Sequence, residues 1–596
     1  MKAKTVTGIM MTMLLATTLL AFVPIRGSPG WDGEIHIAVV GPQGWIQWDG
    51  QWVGCVLARD LVNLGPNGVD NGGDGDDGIV IGGLNYKVVL QPVDSAAVPE
   101  PNPTQGWTNL KAALDAPFSA DYVIGGFRTE CVGPMRLNFI DYADNKNDTT
   151  GYAPIWYIAG ASTDELIDCG GTGKCGGTCT RCNYGKGRYM FRNTPMNGTY
   201  LFKQLGLGII RSYVLPSRLY PMYGSGSQGP VKTALVMEDL TWTYGMMFAL
   251  AGNGTGALPG SVYFPTIPGV GPNPYYSPPS PYSVLGPQAQ VVAVHRTHPL
   301  TPDFISVFNN IDAKNARLII QIYSAVTGVD FITTYKDRNT NAVCVGINVE
   351  SQMQEFWEEH DGKNEYETFL ASLGTRTNIS PDAEPLSTVE LWDLYKLRSG
   401  AILTEFWGTT QPSTCPIYTM WGAYDTIISL DETLETQSSW PIKADTLIPL
   451  TEQTDRLGVL GKFKYTGPSG RYHDVYCHTE CLTKSWPVGY VRSHITQWQE
   501  VGGEGTMVVV FPQDQDFSRR YRIPPWVYDL ETDLTYDGLV DIDDVMIPAL
   551  AFGAVPGMPI WNIEADFTAD GLVDIDDVIV VALTFGDYHT PWPLPM

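Results

Sequence analysis

The sequence predicts an α/β protein of two lobes, followed by a small module of acidic repeats. Two observations support the α/β body: β-rich apolar runs alternate with helical stretches from Glu34 onward, and a second set of the same alternation begins after Arg188. A third observation defines the end of the chain, where Asp-Gly-Leu-Val-Asp-Ile-Asp-Asp-Val occurs twice, at Asp537–Val545 and Asp570–Val578. Two α/β sets in series indicate two lobes.

The first α/β set is preceded by a segment with the pattern of a secretory signal. Lys2 and Lys4 come before an apolar run, Ile9–Val23, which Pro24 ends. We expect residues 1–28 to be a signal peptide and the mature protein to be secreted or held at the cell surface. The alternative is an uncleaved segment that tethers the chain to the membrane, although the run is shorter than the roughly 20 residues of a spanning helix.

The first set extends from about residue 33 to the cysteine-rich loop before Arg188. Its predicted strands are Ile35–Val40, Leu84–Pro92, Tyr122–Gly126 and Ile155–Ile158, and its predicted helices are Gly50–Asn63 and Trp107–Ala116. This alternation is typical of a doubly wound sheet with helices on both faces.

The second set repeats the alternation after Arg188. Its predicted strands are Thr233–Met237, Gln290–Val294 and Arg317–Ile322, and its predicted helices are Tyr244–Ala251, Thr301–Lys314 and Gly328–Arg338. Ligands of such sheets bind beyond the carboxyl ends of the strands, so the residues just after each strand are the candidates for a site.

Bulk composition narrows the function classes. The chain has 596 residues, of which 44% are apolar, so it is long enough for two or three domains and is not wholly disordered. Its formal net charge is −27 at pH 7. Neutralising nucleic-acid phosphates takes clusters of Lys and Arg, and this charge therefore argues against nucleic acid as a partner.

Ten cysteines in an exported chain favour disulfide bonds. Four of them crowd one Gly/Thr-rich loop, at Cys169, Cys175, Cys179 and Cys182. Four thiols this close together could also hold zinc, but their spacing is not that of regular Cys-x-x-Cys pairs. Disulfides are the expectation, and a metal site stays open.

The acidic repeats match the ligand order of a calcium loop. Acidic or hydroxyl side chains occupy positions 1, 3, 5, 9 and 12 of each copy, glycine occupies position 6, and the position-7 carbonyl completes the set. The expected ligands of two Ca²⁺ ions are Asp533, Thr535, Asp537, Leu539, Asp541 and Asp544 in the first loop, and Asp566, Thr568, Asp570, Leu572, Asp574 and Asp577 in the second. A helix is expected after each loop, at Val545–Phe552 and Val578–Phe585.

Several segments of the main body point to a known family by their joint order. They are Ile35–Pro42, Tyr122–Gly125, Ile155–Thr163, Thr233–Gly245, Met420–Glu435, Asp455–Phe463, Gln497–Gln499 and Pro524–Val527. In this order they resemble the type I periplasmic binding proteins, specifically the branched-chain amino acid receptors of ABC transporters. The terminal repeats, residues 530–588, resemble a type I dockerin module.

The first resemblance implies a fold and a function. The fold has two lobes, each with a doubly wound sheet, joined by a three-strand hinge, and it covers residues 33–527. Lobe 1 is expected at about 33–187 and 395–480, and lobe 2 at about 188–394 and 485–527. The implied function is an extracytoplasmic solute-binding protein, not an enzyme, that captures an amino acid or amide between the lobes and delivers it to the permease of an ABC importer.

Site residues follow from the same resemblance. Those carried over are Trp48 as an aromatic cover, Thr129 for the ligand carboxylate, Ser162 and Thr163 for the amino group, Tyr244 and Tyr323 as aromatic residues of lobe 2, and Glu350, or Asn348, for the ammonium. Arg128 departs from the family pattern, and an arginine facing the cleft favours a ligand with an extra carboxylate. Amides, urea-like compounds, dicarboxylates and short peptides are therefore open as ligands.

Two other functions remain as alternatives. A ligand sensor would use the same fold, but no transmembrane or signalling segment follows the binding module. A hydrolase is the second alternative, since dockerins often accompany glycosidases, but the sequence has neither Gly-x-Ser-x-Gly nor His-Glu-x-x-His. The dockerin-like module implies a cohesin-like or cell-surface partner; alternatively, it folds back on its own protein.

Overall fold

The computed structural model describes most of the chain, apart from its first thirty residues, its last eight and several internal segments. The described residues are 31–64, 77–98, 100–160, 166, 188–194, 201, 203–223, 229–251, 285–298, 302–324, 327–371, 379–465, 494–511, 519–556 and 558–588. The expected signal peptide and the four crowded cysteines lie outside them. No helix within the described ranges is long and apolar enough to cross a membrane.

Lobe 1 is built on a six-stranded sheet. Its strands are β1 (Gly33–Gly41), β2 (Ile79–Ile81), β3 (Leu84–Asp94), β4 (Tyr122–Gly125), β5 (Ile155–Ile158) and β6 (Met190–Arg192). They lie in the order β2-β3-β1-β4-β5-β6, all parallel except β2. This is the doubly wound order, with β1 at the centre and the chain reversing direction between β1 and β4.

Five main helices cover this sheet. They are α1 (Ile46–Leu64), α2 (Pro103–Leu114), α3 (Thr129–Thr150), α9 (Thr388–Trp407) and α10 (Tyr418–Glu435), with α11 (Ala444–Glu452) and the hairpin β12 (Asp455–Gly458) and β13 (Gly461–Lys464) behind them. Leu391 and Leu403 of α9 belong to the lobe 1 core. Helix α9 therefore packs on lobe 1 from residues before the expected boundary near 395, although its Trp392 also packs on a core of lobe 2.

Lobe 2 repeats the plan with seven strands. They are β7 (Val231–Glu238), β8 (Ala289–Thr297), β9 (Leu318–Tyr323), β10 (Val343–Asn348), β11 (Thr368–Ala371), β14 (His494–Val501) and β15 (Glu504–Phe511). Their order is β15-β14-β11-β10-β9-β7-β8, with β7 to β11 parallel and the β14–β15 hairpin added antiparallel at one edge. Here the direction reverses between β7 and β9.

The helices of lobe 2 bury apolar faces on both sides of this sheet. They are a π-type helix, Lys203–Leu219, with the short α4 (Tyr220–Tyr223), α5 (Thr241–Ala251), α6 (Phe304–Ala313), α7 (Thr327–Asp337) and α8 (Gln354–Glu359). The sequence predicted seven of the described strands, β1, β3 to β5 and β7 to β9, within a few residues. It did not predict strands β2, β6, β10, β11 and β15, helices α3 and α9, or the π-type helix.

The chain passes between the lobes three times. Described elements belong to lobe 1 up to β6, to lobe 2 from the π-type helix to β11, to lobe 1 again from α9 to β13, and to lobe 2 from β14. This alternation and the two doubly wound sheets confirm the predicted two-lobed α/β architecture.

The C-terminal segment forms a small α-helical module. Each acidic loop leads into a helix, α12 (Ile542–Leu550) and α13 (Ile575–Leu583), which begin about three residues earlier than the sequence indicated. Asp541 and Asp574 cap these helices, and Asp544 and Asp577 complete a capping box in each. The helix starts are therefore fixed by side chains of the loops themselves.

Candidate functional site

The strand orders place a crevice at one edge of each sheet. In a doubly wound sheet, the loops after the two strands that flank the reversal point leave in opposite directions and open a binding crevice. In lobe 1 these loops are Pro42–Trp45, after β1, and Gly126–Arg128, after β4. In lobe 2 they begin at Asp239, after β7, and at Ser324, after β9.

The two crevices face each other across a direct contact between the lobes. Gln47, in the first turn of α1, is fully buried, and its Nε2 donates to the carbonyl oxygen of Ser324 at 3.1 Å. The same Nε2 lies 3.5 Å from Oε1 of Glu350. Ile46 and Tyr418, which belong to lobe 1 helices, pack on the apolar core of lobe 2. The lobes therefore meet at the reversal points of both sheets.

Lobe 1 holds a buried cation in the loop after β4. Arg128 is 3% exposed and has φ +60°, a left-handed backbone that ends the β4 loop and starts α3. Its guanidinium lies 6.0 Å from the ring of Trp45 and 5.8 Å from that of Phe127, and its Nη1 donates to Ala97. Helix α3 begins at Thr129, so the positive end of its dipole adds to the charge of Arg128. This corner of the cleft suits an anionic group.

Lobe 2 presents carboxylates. Glu238, the last residue of β7, is fully buried and accepts hydrogen bonds from the backbone N–H of Ser324 (2.9 Å) and from its hydroxyl (2.7 Å). Burial raises the pKa of Glu350 to about 7; the hydrogen bond from Gln47 opposes this rise and the charge of Glu238 adds to it. The phenol of Tyr418 is also buried beside both carboxylates, which raises its pKa. This side of the cleft suits a cationic group.

A short 3₁₀ turn, Glu350–Gln352, fixes the position of Glu350. The carbonyl of Ser351 accepts hydrogen bonds from Trp498 Nε1 (2.6 Å) and Asn364 Nδ2 (3.2 Å), and Gln352 Nε2 donates to the carbonyl of Asn348 (3.0 Å). All of these partners are buried in lobe 2. The turn is therefore held from below by the core of the lobe.

A second buried carboxylate lies beneath this turn. Glu367 is fully buried and accepts hydrogen bonds from Asn348 Nδ2 (2.8 Å) and from Gln321 Nε2. Burial raises the pKa of Glu367 to about 7, and hydrogen bonds from Ser351, Gln321 and Asn348 oppose this rise. Glu367 thus links strands β9 and β10 to the turn that carries Glu350.

Two of the expected site residues belong to the cores instead of the cleft. Trp48 is fully buried in the lobe 1 core, with its ring stacked 5.5 Å from that of Trp52 and the same distance from Phe406. Tyr323 is fully buried in lobe 2, edge-on to Phe304 and hydrogen-bonded to Thr297 Oγ1 at 3.2 Å. Helix and strand periodicity turn these two side chains inward, and their contact with a ligand stays a prediction.

The other expected residues divide into three groups. Glu350 lies at the contact between the lobes, Arg128 lies beside Trp45 in the loop after β4, and Thr129 is the first residue of α3. Asn348, the alternative to Glu350, is a fully buried residue of the network around Glu367. Ser162, Thr163 and the side chain of Tyr244 lie outside what the structure describes.

Three residues of the site were missed from the sequence. Gln47, Glu238 and Ser324 each follow or end a strand next to a reversal point. The rule that ligands bind beyond the strand ends pointed to these positions. The strand order that singles them out, however, is set by pairing between distant segments, and one sequence does not reveal it.

Both acidic loops are held by the same internal hydrogen bonds. In the first loop, Gly538 N–H donates to Asp533 (2.7 Å), and Asp544 accepts from the N–H groups of Thr535 and Asp541 (2.9 Å each). The equivalent bonds of the second loop involve Asp566 and Asp577. Desolvation and the neighbouring carboxylates of the first loop raise the pKa of Asp537.

Donor type and order in these loops fit a calcium ion. Two buried carboxylates in each loop, at the first and last ligand positions, lie among like charges, and the described residues offer them no Lys or Arg ion pair. A hard divalent cation would relieve that repulsion. Among the described residues, however, no three His, Cys, Asp or Glu side chains form a group that could hold a metal ion. The type and order of the donors in both loops are nevertheless those of a calcium loop.

The cysteines that the structure describes are not in disulfides. Cys55, Cys131, Cys344 and Cys415 are buried thiols, and burial raises the pKa of each. The crowded set at Cys169, Cys175, Cys179 and Cys182 lies outside the described residues. The expected disulfides are therefore neither supported nor contradicted there.

Comparisons with known proteins give similar structures but no sequence relatives. No protein-family model matches the chain, and no curated protein matches it. Solved structures that resemble it are solute-binding proteins of ABC transporters. One from Rhodopseudomonas palustris BisB5, in complex with 3,4-dihydroxybenzoic acid, is 12% identical with a TM-score of 0.48, over 80% of this chain and 97% of the other.

Two further structures resemble the chain to the same degree. The branched-chain amino acid transporter substrate-binding protein LivJ of Streptococcus pneumoniae, in complex with isoleucine, is 12% identical with a TM-score of 0.47, over 80% of this chain and 99% of the other. The leucine-binding protein LivK of Thermotoga maritima is 11% identical with a TM-score of 0.47, over 81% and 100%. The assignment of a two-lobed α/β fold rests on the strand orders of this chain and not on these scores.

Proposed function

We propose that the protein is an extracytoplasmic solute-binding receptor that captures a small zwitterion of the amino-acid type between its lobes. The observation that carries this proposal is a buried cation in the lobe 1 loop after β4, together with carboxylates of lobe 2 beside Gln47 and Ser324. Arg128 lies on lobe 1, Glu350 and Glu238 lie on lobe 2, and the Pro42–Gln47 segment contacts both sides.

The chemistry of a zwitterion fits these groups. Its carboxylate would take charge-assisted hydrogen bonds from Arg128 and from the N-terminus of α3, and its ammonium would pair with Glu350. Neither charge would then be left without a partner when closure excludes water. Only the closed form contacts the ligand from both lobes, so binding favours closure. Arg128 could also bind the amide oxygen of an amide ligand or a carboxylate of a dicarboxylate.

The test is a thermal-shift screen of the full chain in calcium, followed by calorimetry on each hit. Amino acids, amides, dicarboxylates, benzoates and sugars are the probes. Binding raises the melting temperature by mass action. We expect hits that carry a carboxylate, and a response confined to sugars would contradict the proposal.

A matched pair of variants assigns the carboxylate contact. Arg128→Gln should weaken a confirmed hit about 10- to 100-fold, because a charge-assisted hydrogen bond is worth roughly 1.5–3 kcal/mol. Arg338→Gln is the control, since Arg338 is an exposed lobe 2 residue paired with Asp312 at 2.8 Å. If the two variants bind the ligand with equal affinity, Arg128 does not contact the ligand carboxylate.

Delivery of the ligand to the permease of an ABC importer is the proposed purpose of this binding. Its support is the order of the eight segments that resemble the receptors of ABC transporters. Fluorescence-detected binding of the loaded and the empty protein to membranes of the source cells would test it, with stronger binding of the loaded form as the expected result. Equal binding of the two forms would favour the alternative of a sensor or a storage protein.

The acidic module is proposed to bind two Ca²⁺ ions and to attach the receptor to a cohesin-like or cell-surface partner. The ion would be held by the side chains of the positions named above and by the carbonyls of Leu539 and Leu572. Exposed apolar side chains line both helices in equivalent positions: Ile542, Met546 and Leu550 on α12, and Ile575, Ile579 and Leu583 on α13. Such paired patches are typical of a protein-binding surface.

Calorimetric titration with Ca²⁺ tests the ion sites directly. We expect two binding events per chain, and about one after Asp544→Asn, which removes a charge at the last ligand position of the first loop. Unchanged stoichiometry in this variant, or no heat in the wild type, would reject the assignment.

A further inference from the structure

The C-terminal module is packed against lobe 2 in addition to being tethered to it. The core of the module contains Tyr528, Tyr536 and Val581. Two side chains of the adjoining lobe, Met222 from α4 and Ile523, pack on that core. Ile523 also packs on the main core of lobe 2. One apolar contact therefore continues from the ligand-binding lobe into the module.

A buried ion-pair cluster crosses the same interface. Arg218, at the end of the π-type helix, is 4% exposed and pairs with the carboxylate of Glu564 in the module. The other oxygen of this carboxylate lies 3.3 Å from Nε of Arg520, which directly precedes Tyr521 of the lobe 2 core. The hydroxyl of Tyr213 donates to Glu564 as well. One glutamate of the module thus takes two buried arginines and a tyrosine of the lobe.

The cluster reaches both acidic loops. The guanidinium of Arg218 lies 4.8 Å from the ring of Tyr536, inside the first loop. That of Arg520 lies 4.2 Å from the ring of Phe567, inside the second loop. The conformation of each loop is therefore coupled to lobe 2 through an arginine.

The first loop has a further connection to the polypeptide that leaves lobe 2. The hydroxyl of Tyr528 donates to Asp533, the first carboxylate of that loop, and the ring of Tyr528 lies 5.6 Å from that of Tyr536. The ring that contacts Arg218 therefore also contacts the residue that holds the loop carboxylate.

We propose that the acidic module is a docked structural part of lobe 2, and that a divalent cation in its loops stabilises the ligand-binding lobe. An ion that binds only the folded loops stabilises every part of the chain that folds together with them. The docking half of the proposal rests on the contacts above alone. The cation half rests in addition on the proposed calcium sites, and neither half depends on the ligand of the cleft.

Docking is tested by hydrogen exchange of the full chain in calcium. Glu564→Gln keeps the shape of the side chain but removes the charge that both arginines face. Removing one partner of a buried ion pair is strongly destabilising, so we expect exchange in Lys203–Tyr223 to rise at least about tenfold. Glu504→Gln, at an exposed site on β15, is the control and should leave that segment unchanged. If Glu564→Gln does not fold, Arg520→Gln should raise exchange in the same segment to a smaller extent.

The cation half is tested by chelation of the wild-type chain. Removal of calcium with EGTA should raise hydrogen exchange in residues 528–588 and also in Lys203–Tyr223. In Glu564→Gln, EGTA should no longer change the exchange of Lys203–Tyr223. If EGTA raises the exchange of the wild type only in residues 528–588, the coupling is overturned. If Glu564→Gln in calcium leaves the exchange of Lys203–Tyr223 unchanged, the docking is overturned. Calorimetry with Ca²⁺ on the same samples shows whether the loops bind the ion. If EGTA has no effect and no Ca²⁺ binds, the cation half is overturned, and docking is then judged from the Glu564→Gln and Arg520→Gln variants alone.

Discussion

At the residue scale, position relative to the strand end decides between core and cleft. Tyr323 is the last residue of β9 and is buried among aromatic rings, whereas Ser324, the next residue, receives the contact from Gln47 across the lobes. Trp48 similarly packs inside lobe 1, while Trp45, three residues earlier, faces Arg128. A resemblance that is correct to within a few residues therefore finds the region of the site without finding its side chains.

Glu350 gives a prediction about pH. A bound ammonium favours the ionised carboxylate, and burial holds the pKa of Glu350 at about 7 in the ligand-free protein. Affinity should therefore be highest above about pH 8 and fall by up to tenfold per unit as the pH drops below about 7. Glu238 and Tyr418 both lie near the carboxylate of Glu350, and the negative charge of Glu238 raises the pKa of Glu350.

Calorimetry across this pH range, with wild type and Glu350→Gln, is the measurement. The variant should bind about 10- to 100-fold more weakly at about pH 8 and lose most of the pH dependence. A variant with the wild-type pH profile would assign the titration to another group.

Glu367 gives a prediction about stability. Its folded pKa of about 7 exceeds the ordinary value of 4.5, so the folded state holds a proton that the unfolded state has released. Stability from this group is therefore lost as the pH rises between these two values, by on the order of 3 kcal/mol in total. Glu367→Gln removes this loss. In urea unfolding, we expect the variant to have a larger free energy of unfolding than wild type at about pH 8, and a similar or smaller one at about pH 5. The opposite order would show that the ionised form of Glu367 stabilises the protein.

At the element scale, glycines let two helices of lobe 1 approach closely enough to position the cleft end of α1. A methyl group at Gly54 of α1 would lie 2.6 Å from the backbone oxygen of Met420 in α10, and one at Gly50 would lie 2.9 Å from Ile417. The side-chain hydroxyl of Thr419 donates to the backbone carbonyl of Gln47 at 2.9 Å in the same contact. The helix pair therefore sets where Gln47 meets lobe 2.

Two helical glycines make a matched test of this packing. Gly54→Ala should destabilise the protein by about 2 kcal/mol, because backbone cannot move aside as a flexible side chain can. Gly133→Ala in α3 has its nearest atom at 3.9 Å, so it should be neutral or stabilising by roughly 0.5–1 kcal/mol through helix propensity. Thermal or urea unfolding of the two variants measures the difference. Similar stabilities would show that α1 and α10 can separate at little cost.

At the scale of the whole molecule, three bodies are coupled through a few polar contacts. Gln47 joins the lobes at the cleft, and Lys396 of α9 joins them again through Glu355 of α8 at 3.3 Å. Glu564 joins the module to lobe 2. Apolar contacts, such as those of Tyr418 with the lobe 2 core and of Met222 with the module core, join the bodies at the same interfaces.

Gln47 gives a prediction about closure. Gln47→Ala removes a buried hydrogen bond between the lobes, worth about 1 kcal/mol, and should shift the ligand-free protein toward an open form. Small-angle X-ray scattering should then give a larger radius of gyration for the variant without ligand and the wild-type value once ligand is bound. Gln105→Ala, on the exposed surface of α2, is the control. Equal radii for both variants without ligand would mean that the lobes are held by their apolar contacts alone.

The sequence by itself determined the architecture and the composition of the terminal repeats. Alternation of apolar strands with helical stretches is a local pattern, and it predicted the lobes and about half of the described strands within a few residues. The order of donors in the acidic loops is equally local, which is why the duplicated ligand frame is visible without a structure. Arg128 and Glu350 were proposed from the family resemblance, and their contact with a ligand stays a prediction.

Only the tertiary structure decided what depends on distant segments. The strand orders singled out the two reversal points, and with them Gln47, Glu238 and Ser324. Trp48 and Tyr323 were reassigned to the cores, because burial depends on neighbours contributed by other elements. The docking of the module joins Glu564 to Arg520, 44 positions away, and to Arg218, more than 300 positions away, and no local pattern in the sequence encodes such contacts.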